Sequence, residues 1–403
     1  HINEFNNANN DVYINFFDLK NYENEKRNNT LKFGNEIDVY YYRSDLIADE
    51  QKDKIIDFRN YDNFGNWYIL LDEAHKGDRE DSKRQQYYSI LSRNGFLFNF
   101  SATFTDPIDL VTCVYNFNLE QFIQNGYGKN IYISQSNIDQ LVAKQDFNEQ
   151  QKQIIILKIL LLYTYISYQK TQIESNFYHK PLLLTLVNSV NTDDSDLFLF
   201  FKELVKIASN NGDVNILQSA KNDLKNDLTH RCEFTNEQIH LSLDIIDQYT
   251  YQDILKNVFN SDRPGKIEVL KIPGNKQEIV FKLATSDTPF GLIKIGDISE
   301  WIKNKLSGYE IIEKFDNESI FKKINQNDSD ITILMGSRSF YEGWDSNRPN
   351  ILLYINIGKG TDARKFVLQS IGRGVRIEPL PNKRKRMQFL LNNKEISSED
   401  YNT

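Results

Sequence analysis

The 403 residues are 40% hydrophobic and 13% aromatic, enough to fill the cores of two or three domains. A formal charge of −8 excludes a uniformly basic nucleic-acid coat and leaves room for a local basic channel. With only Cys113 and Cys232 there is no disulfide framework, and a reducing cytoplasm is the expected compartment.

Taken in chain order, the first patterned segment is DVYINFFDLKNY (residues 11–22), followed by a charged, helix-like SDLIADEQKDK (44–54). Two short apolar runs come next, NWYILLDEAH (66–75) and GFLFNFSAT (95–103). Residues 104–179 read as polar and helix-rich. They include IIILKILLLYTYISY (154–168), whose 15 residues and internal Lys158 suit a buried helix better than a membrane span. No signal-peptide pattern precedes it, and no membrane is expected among the partners. KPLLLTLVNS (180–189) is another apolar run. DSDLFLFFKELVKIASNNG (194–212) reads as a helix, with acidic and Ser residues at its start and Asn-Asn-Gly at its stop. Within the mixed pattern of residues 213–290, KIEVLKIPGNKQEIVFKLA (266–284) predicts a hairpin turning on Pro-Gly-Asn-Lys. Helical spacing recurs in GDISEWIKNKLSG (296–308) and DARKFVLQSIGRGVR (362–376), with the apolar runs DITILMGS (330–337) and NILLYINIGKG (350–360) between them.

Apolar runs of this length predict strands buried on both faces, hence an α/β fold with parallel sheets flanked by helices. Ligand sites in such sheets are expected beyond the carboxyl ends of the strands, so the polar tips of the runs become the candidates for chemistry.

Asp72 and Glu73 end the first such run. The first carboxylate is placed to hold Mg²⁺ through water and the second to orient or deprotonate an attacking water, with His75 sensing the γ-phosphate or coupling to another lobe. A solvated helix start would also explain Asp-Glu-Ala-His. Ser101 and Thr103, 26 and 28 residues beyond His75, end the second run and would couple hydrolysis to movement through their hydroxyls. In SRSFYEGWDSNRP (337–349), Gly343 would permit close backbone approach and Asp345 would accept a hydrogen bond from a ribose hydroxyl; a turn around a packed Trp344 is the plainer alternative. The most specific string is QSIGRGVR (369–376), in which Gln369, Gly372, Arg373 and Arg376 form Q-x-x-G-R-x-x-R. Its two arginines, three apart, are expected on one helical face, where their guanidiniums converge on phosphate oxygens.

In this order, D-E-A-H, S-A-T, E-G-W-D and Q-x-x-G-R-x-x-R resemble motifs II, III, V and VI of superfamily-two helicases and translocases. Residues 319–379, with GSRSFYEGWDS, NIGKG and QSIGRGVR, resemble more closely the Res subunit of type III restriction enzymes. DVYINFFDLKNY is similar to the motif Ib region of that group, and PFGLIKIGDISEWIKNKL (289–306) to the segment before motif V. The resemblance implies two RecA-like lobes with an ATP cleft between them, using ATP and Mg²⁺ to move along duplex DNA. It also implies a methyltransferase partner and a nuclease that follows the motor. On this basis residues 1–115 would be the later part of a first lobe, 116–179 a helical bridge, 180–380 a second lobe with an insertion at about 213–290, and 381–403 the start of a further segment.

The resemblance has gaps. Each Gly-Lys pair (128–129, 265–266 and 358–359) lacks the partners of a G-x-x-x-x-G-K-[ST] phosphate loop. The chain opens on His1 rather than Met, and we expect the loop to precede it. Glu50-Gln51-Lys52 is a poor nuclease candidate, and His230, Cys232 and His240 have irregular spacing for a metal site. The basic run NKRKR (382–386) would either touch a DNA backbone or stay solvated. A stand-alone DNA or RNA helicase and a non-hydrolysing nucleic-acid scaffold are the alternatives to a restriction motor.

Overall fold

The computed structural model describes residues 2–8, 11–22, 35–74, 83–102, 110–134, 148–187, 196–209, 212–235, 237, 242–306, 308–313, 318–337, 344–355 and 360–402. The chain forms two compact units, residues 1–116 and 117–403.

In the smaller unit, β1 (Tyr13–Asp18) and β2 (Glu36–Tyr41) pair in parallel. The two-residue strands β3 (Ile47–Ala48) and β4 (Ile56–Asp57) form a second parallel pair. The run at 66–75 supplies β5 (Tyr68–Leu71), and the run at 95–103 supplies β6 (Phe96–Asn99). These two are parallel, joined through α1 (Lys83–Leu91). The parallel pairing agrees with the sequence reading, but burial on both faces does not. Tyr68 and Leu70 are 73% and 67% exposed, because only the face carrying Ile69 is covered. That cover consists of Phe58, Tyr87 and Leu91, with the Phe58 and Tyr87 rings stacked at 4.5 Å.

The larger unit is built on a seven-stranded sheet. Its strands are β7 (Leu182–Val187), β8 (Ile267–Lys271), β9 (Glu278–Leu283), β10 (Gly291–Lys294), β11 (Ile311–Glu313), β12 (Ile333–Ser337) and β13 (Pro349–Ile355). They lie in the order β11-β8-β9-β10-β12-β7-β13. The block β10-β12-β7-β13 is parallel, β9 runs antiparallel to both β10 and β8, and β11 is parallel to β8. β8 and β9 are the predicted hairpin. Ile272 O accepts from Asn275 N at 3.1 Å across Pro273 and Gly274, and Gly274 has φ 70°. Proline followed by a left-handed glycine is the type II turn chemistry anticipated there.

Side-chain alternation along β7 divides the core into two layers. Leu183 and Val187 face the layer formed by α3 (Glu149–Thr171), α4 (Asp196–Ala208), α5 (Val214–Leu228), α6 (Tyr251–Val258) and α7 (Ser299–Lys305). Leu182, Leu184 and Leu186 face Ile324, Trp344 and the Ala363 and Phe366 side chains of α8 (Thr361–Gly374). Each fully buried Leu or Phe contributes about 1.5–3 kcal/mol. Helices α3 and α6 begin at capping boxes, Asn148 with Gln151 and Thr250 with Asp253. The described part of 116–179, expected as a bridge, belongs to this unit. α3 packs on α5 and α6, with Leu160 and Leu161 fully buried. Lys158, which interrupts the apolar run, is accommodated by Asp227 of α5 at 2.7 Å and the Ser134 hydroxyl at 3.0 Å. No described helix is long and apolar enough to cross a membrane.

Glu278, 2% exposed at the start of β9, ties the segment before β12 to the sheet. It accepts from Ser319 Oγ at 2.6 Å, Phe321 N at 3.2 Å and Lys294 Nζ at 3.3 Å. Burial pushes its carboxyl up, but these hydrogen bonds and the Lys294 charge outweigh burial and hold it below the usual range. Its stabilising contribution is therefore complete above the unfolded glutamate pKa near ~4.3 and lost as pH falls through the lowered folded value. Glu278→Gln should cost about 1–3 kcal/mol in urea melts at neutral pH and flatten the acid limb of the stability curve. An unchanged melt would refute that role.

Candidate nucleotide-site residues

In the smaller unit, Asp72 and Glu73 follow β5 directly. Asp72 is exposed, and its Oδ1 accepts from Glu73 N at 2.9 Å. Glu73 has φ 52°, the left-handed region that side chains other than glycine rarely adopt. This turn brings Ala74 N to Phe100 O at 3.0 Å, so the backbone just after the two carboxylates pairs with the residue just before Ser101. His75 and Thr103 fall outside the described residues.

In the larger unit, the motif residues gather at the opposite edge from the one expected. β12 and β13 both run parallel to β7, so residues 344–348, which lead into β13, lie at the amino edge of the sheet. A helix following a strand runs back, which carries the C-terminus of α8 to that edge too. Trp344 and Asp345 thus meet Arg373 and Arg376 at the amino edge, correcting the carboxyl-edge expectation.

The contacts are specific. Arg373 Nη1 donates to Trp344 O at 2.5 Å. Arg376 forms an ion pair with the next residue, Asp345, whose carbonyl accepts from Asn325 Nδ2 at 2.6 Å. The arginines do not share one helical face as predicted, because α8 ends at Gly374 and Arg376 lies beyond it, in an isolated β-bridge with Gly128. Gln369 is half-buried on α8. Around Gly372 there is open space, whereas a Cβ on Gly374 would come within 2.9 Å of Leu352 Cδ1. The glycine with a close neighbour is therefore Gly374, where the Leu352 side chain would have to shift, and not Gly372. Gly343 lies outside the described residues.

Asp345 and Arg376 line a cavity of about 610 Å³ that also includes Phe122, Tyr127, His179 and Glu378. Phe122, on α2 (Leu119–Gln124), stacks on Tyr127 at 5.8 Å. Glu378 Oε2 accepts from Asn347 Nδ2 at 2.9 Å and lies 3.3 Å from His179 Nε2. Sequence reasoning missed these residues, which stand on segments without a motif. The one sequence signal near them is Gly128-Lys129, which in the sequence reads only as an incomplete phosphate loop.

The basic run 382–386 disperses. Arg384 lines the cavity, Lys385 Nζ sits 4.8 Å from the Tyr127 ring centre, and Arg386 donates to Ile123 O at 3.0 Å. Cys232 is buried and His240 lies outside the described residues, among which no group of three His, Cys, Asp or Glu side chains is placed to hold a metal. No protein-family profile, curated protein or solved structure matches the chain.

Proposed function

We propose that this chain is the motor portion of a type III-like restriction enzyme: two RecA-like lobes that couple ATP hydrolysis to movement on duplex DNA. The observation that carries the reading is the junction of Trp344-Asp345 with Arg373 and Arg376. Two motifs some thirty residues apart come together there through one ion pair and one carbonyl hydrogen bond. The α/β fold of the larger unit, with helices covering a parallel block, supports the assignment to a RecA-like lobe.

Each residue then takes a role that its surroundings allow. Asp72 is exposed at a strand tip, which fits a water-mediated contact to Mg²⁺. That ion usually keeps several waters and takes only one or two protein carboxylates alongside the phosphates. Carried with ATP, Mg²⁺ neutralises charge developing on the phosphates. Glu73 accepts a proton from, or orients, the attacking water; Asp345 accepts from a ribose hydroxyl; Arg373 and Arg376 neutralise phosphate oxygens. The reading also requires a phosphate-cradling loop, which these 403 residues do not contain. A methyltransferase subunit and a nuclease domain complete the proposed assembly.

The test is ATP turnover by the full-length protein with and without duplex DNA. Glu73→Gln keeps the shape and removes the base, so turnover should fall by about 10²–10⁴-fold while nucleotide binding survives. Undiminished turnover in the variant, or none in the wild type, overturns the reading.

A further inference from the structure

Lys129 lies on the stretch following α2. Its backbone N–H donates to Val375 O at 2.7 Å, next to the bridge between Gly128 and Arg376. Its side chain passes inward, placing Nζ 2.8 Å from Asn347 O, 2.6 Å from Pro349 O and 3.3 Å from Gly374 O. The first two carbonyls lie on the segment just beyond Asp345, and the third lies two residues before Arg376. A protonated amine has three N–H groups, and all three are used to join the segments that bear this ion pair. The site also suits a cation because Gly374 O, the last carbonyl of α8, lies at the negative end of the helix.

We propose that Lys129 is a positioning residue for the nucleotide site, setting the separation and angle at which Asp345 and Arg376 meet a nucleotide. The proposal rests on the reading of that pair given above. It assigns Lys129 no contact with phosphate, since its donors are already committed to backbone carbonyls.

Loss of the proton would leave two N–H groups and turn a lone pair towards the third carbonyl, so one of the three links becomes repulsive. Burial lowers the Lys129 amine to about 7, which places this change within the working pH range. The charged groups around it are Lys170 of α3, His179, Glu378 and Arg376. Burial, not any of these charges, is what lowers the amine. The folded-state value lies below the unfolded lysine value of ~10.4, so between about pH 7 and ~10.4 the unfolded chain binds more protons. Across that window this group's contribution to fold stability rises with pH while its grip on the two segments weakens. A purely structural lysine would move activity and stability together; a positioning lysine separates them.

The experiment measures kcat and KM for ATP in the full-length protein from about pH 6 to about pH 8.5, for the wild type, Lys129→Met and Lys129→Arg. In the wild type, kcat should fall as pH rises through about 7, with the melting temperature steady or rising. Lys129→Met should lower kcat at least ~10-fold at low pH, change KM far less and abolish that limb. Lys129→Arg, which keeps the charge, should retain more activity than Lys129→Met and lack the limb. If Lys129→Met does not fold, the wild-type profile decides, and a flat profile overturns the proposal. Wild-type turnover combined with unchanged kinetics in a folded Lys129→Met overturns the proposal alone. Absence of turnover in the wild type removes the functional reading and the proposal together.

Discussion

Replacing Arg376 with alanine should lower the DNA-stimulated kcat of the full-length protein by on the order of 10³-fold, with the KM for ATP changed much less. A guanidinium that meets phosphate charge as the transition state develops acts on kcat, because it stabilises that state more than bound substrate. Arg376→Lys should recover little, since an ammonium cannot present two parallel N–H donors to phosphate oxygens. Stability should barely move. The Arg376 and Asp345 side chains are 36% and 69% exposed, and an ion pair so open to water is worth about 0–1 kcal/mol. Turnover within about threefold of wild type in a protein with an unchanged melt would remove Arg376 from the phosphate role.

Arg348, three residues beyond Asp345, should show the opposite balance. It is 2% exposed, and its guanidinium donates to Lys180 O at 3.0 Å, Pro181 O at 3.3 Å, Ile331 O at 2.7 Å and Ile324 O. These carbonyls belong to the segments leading into β7 and β12, so one side chain fastens the amino edge beneath the cavity. Burial lowers its pKa. A buried ion pair can sometimes be exchanged for apolar packing by removing both partners, but here the partners are backbone and cannot be removed. Arg348→Met therefore strands several buried acceptors and should destabilise the larger unit by about 3–5 kcal/mol, or on the order of 10 °C in melting temperature. Urea denaturation with a loss below about 1 kcal/mol would contradict this account.

How far the sequence could be read depended on the range of the interaction involved. The runs at 180–189, 330–337 and 350–360 announced β7, β12 and β13, because a strand covered on both faces must be apolar along its length. The Pro273-Gly274 turn was equally local. Burial of β5 and β6 was misjudged because composition does not show how many layers will cover a ribbon, and Tyr68 and Leu70 lie on the bare face. Within the site, the motif spacing named Asp345, Arg373 and Arg376. It did not show that α8 would end between the two arginines, nor which edge of the sheet they would reach. Lys129 was illegible as a site residue, since its three acceptors are backbone carbonyls about 220 to 245 positions away and any residue type carries a carbonyl.

On the proposed reading, the Arg376–Asp345 pair would make this corner of the molecule an ion exchanger, with an aspartate holding the place a phosphate oxygen would take. Arrival of a nucleotide would then be a swap of one anion for another, with the displaced carboxylate freed to meet the sugar. The favourable free energy of that step is a difference between two ion pairs, so it depends on how weakly Asp345 is held more than on the total positive charge nearby. Weak retention would suit the proposed motor, which must release its product every cycle.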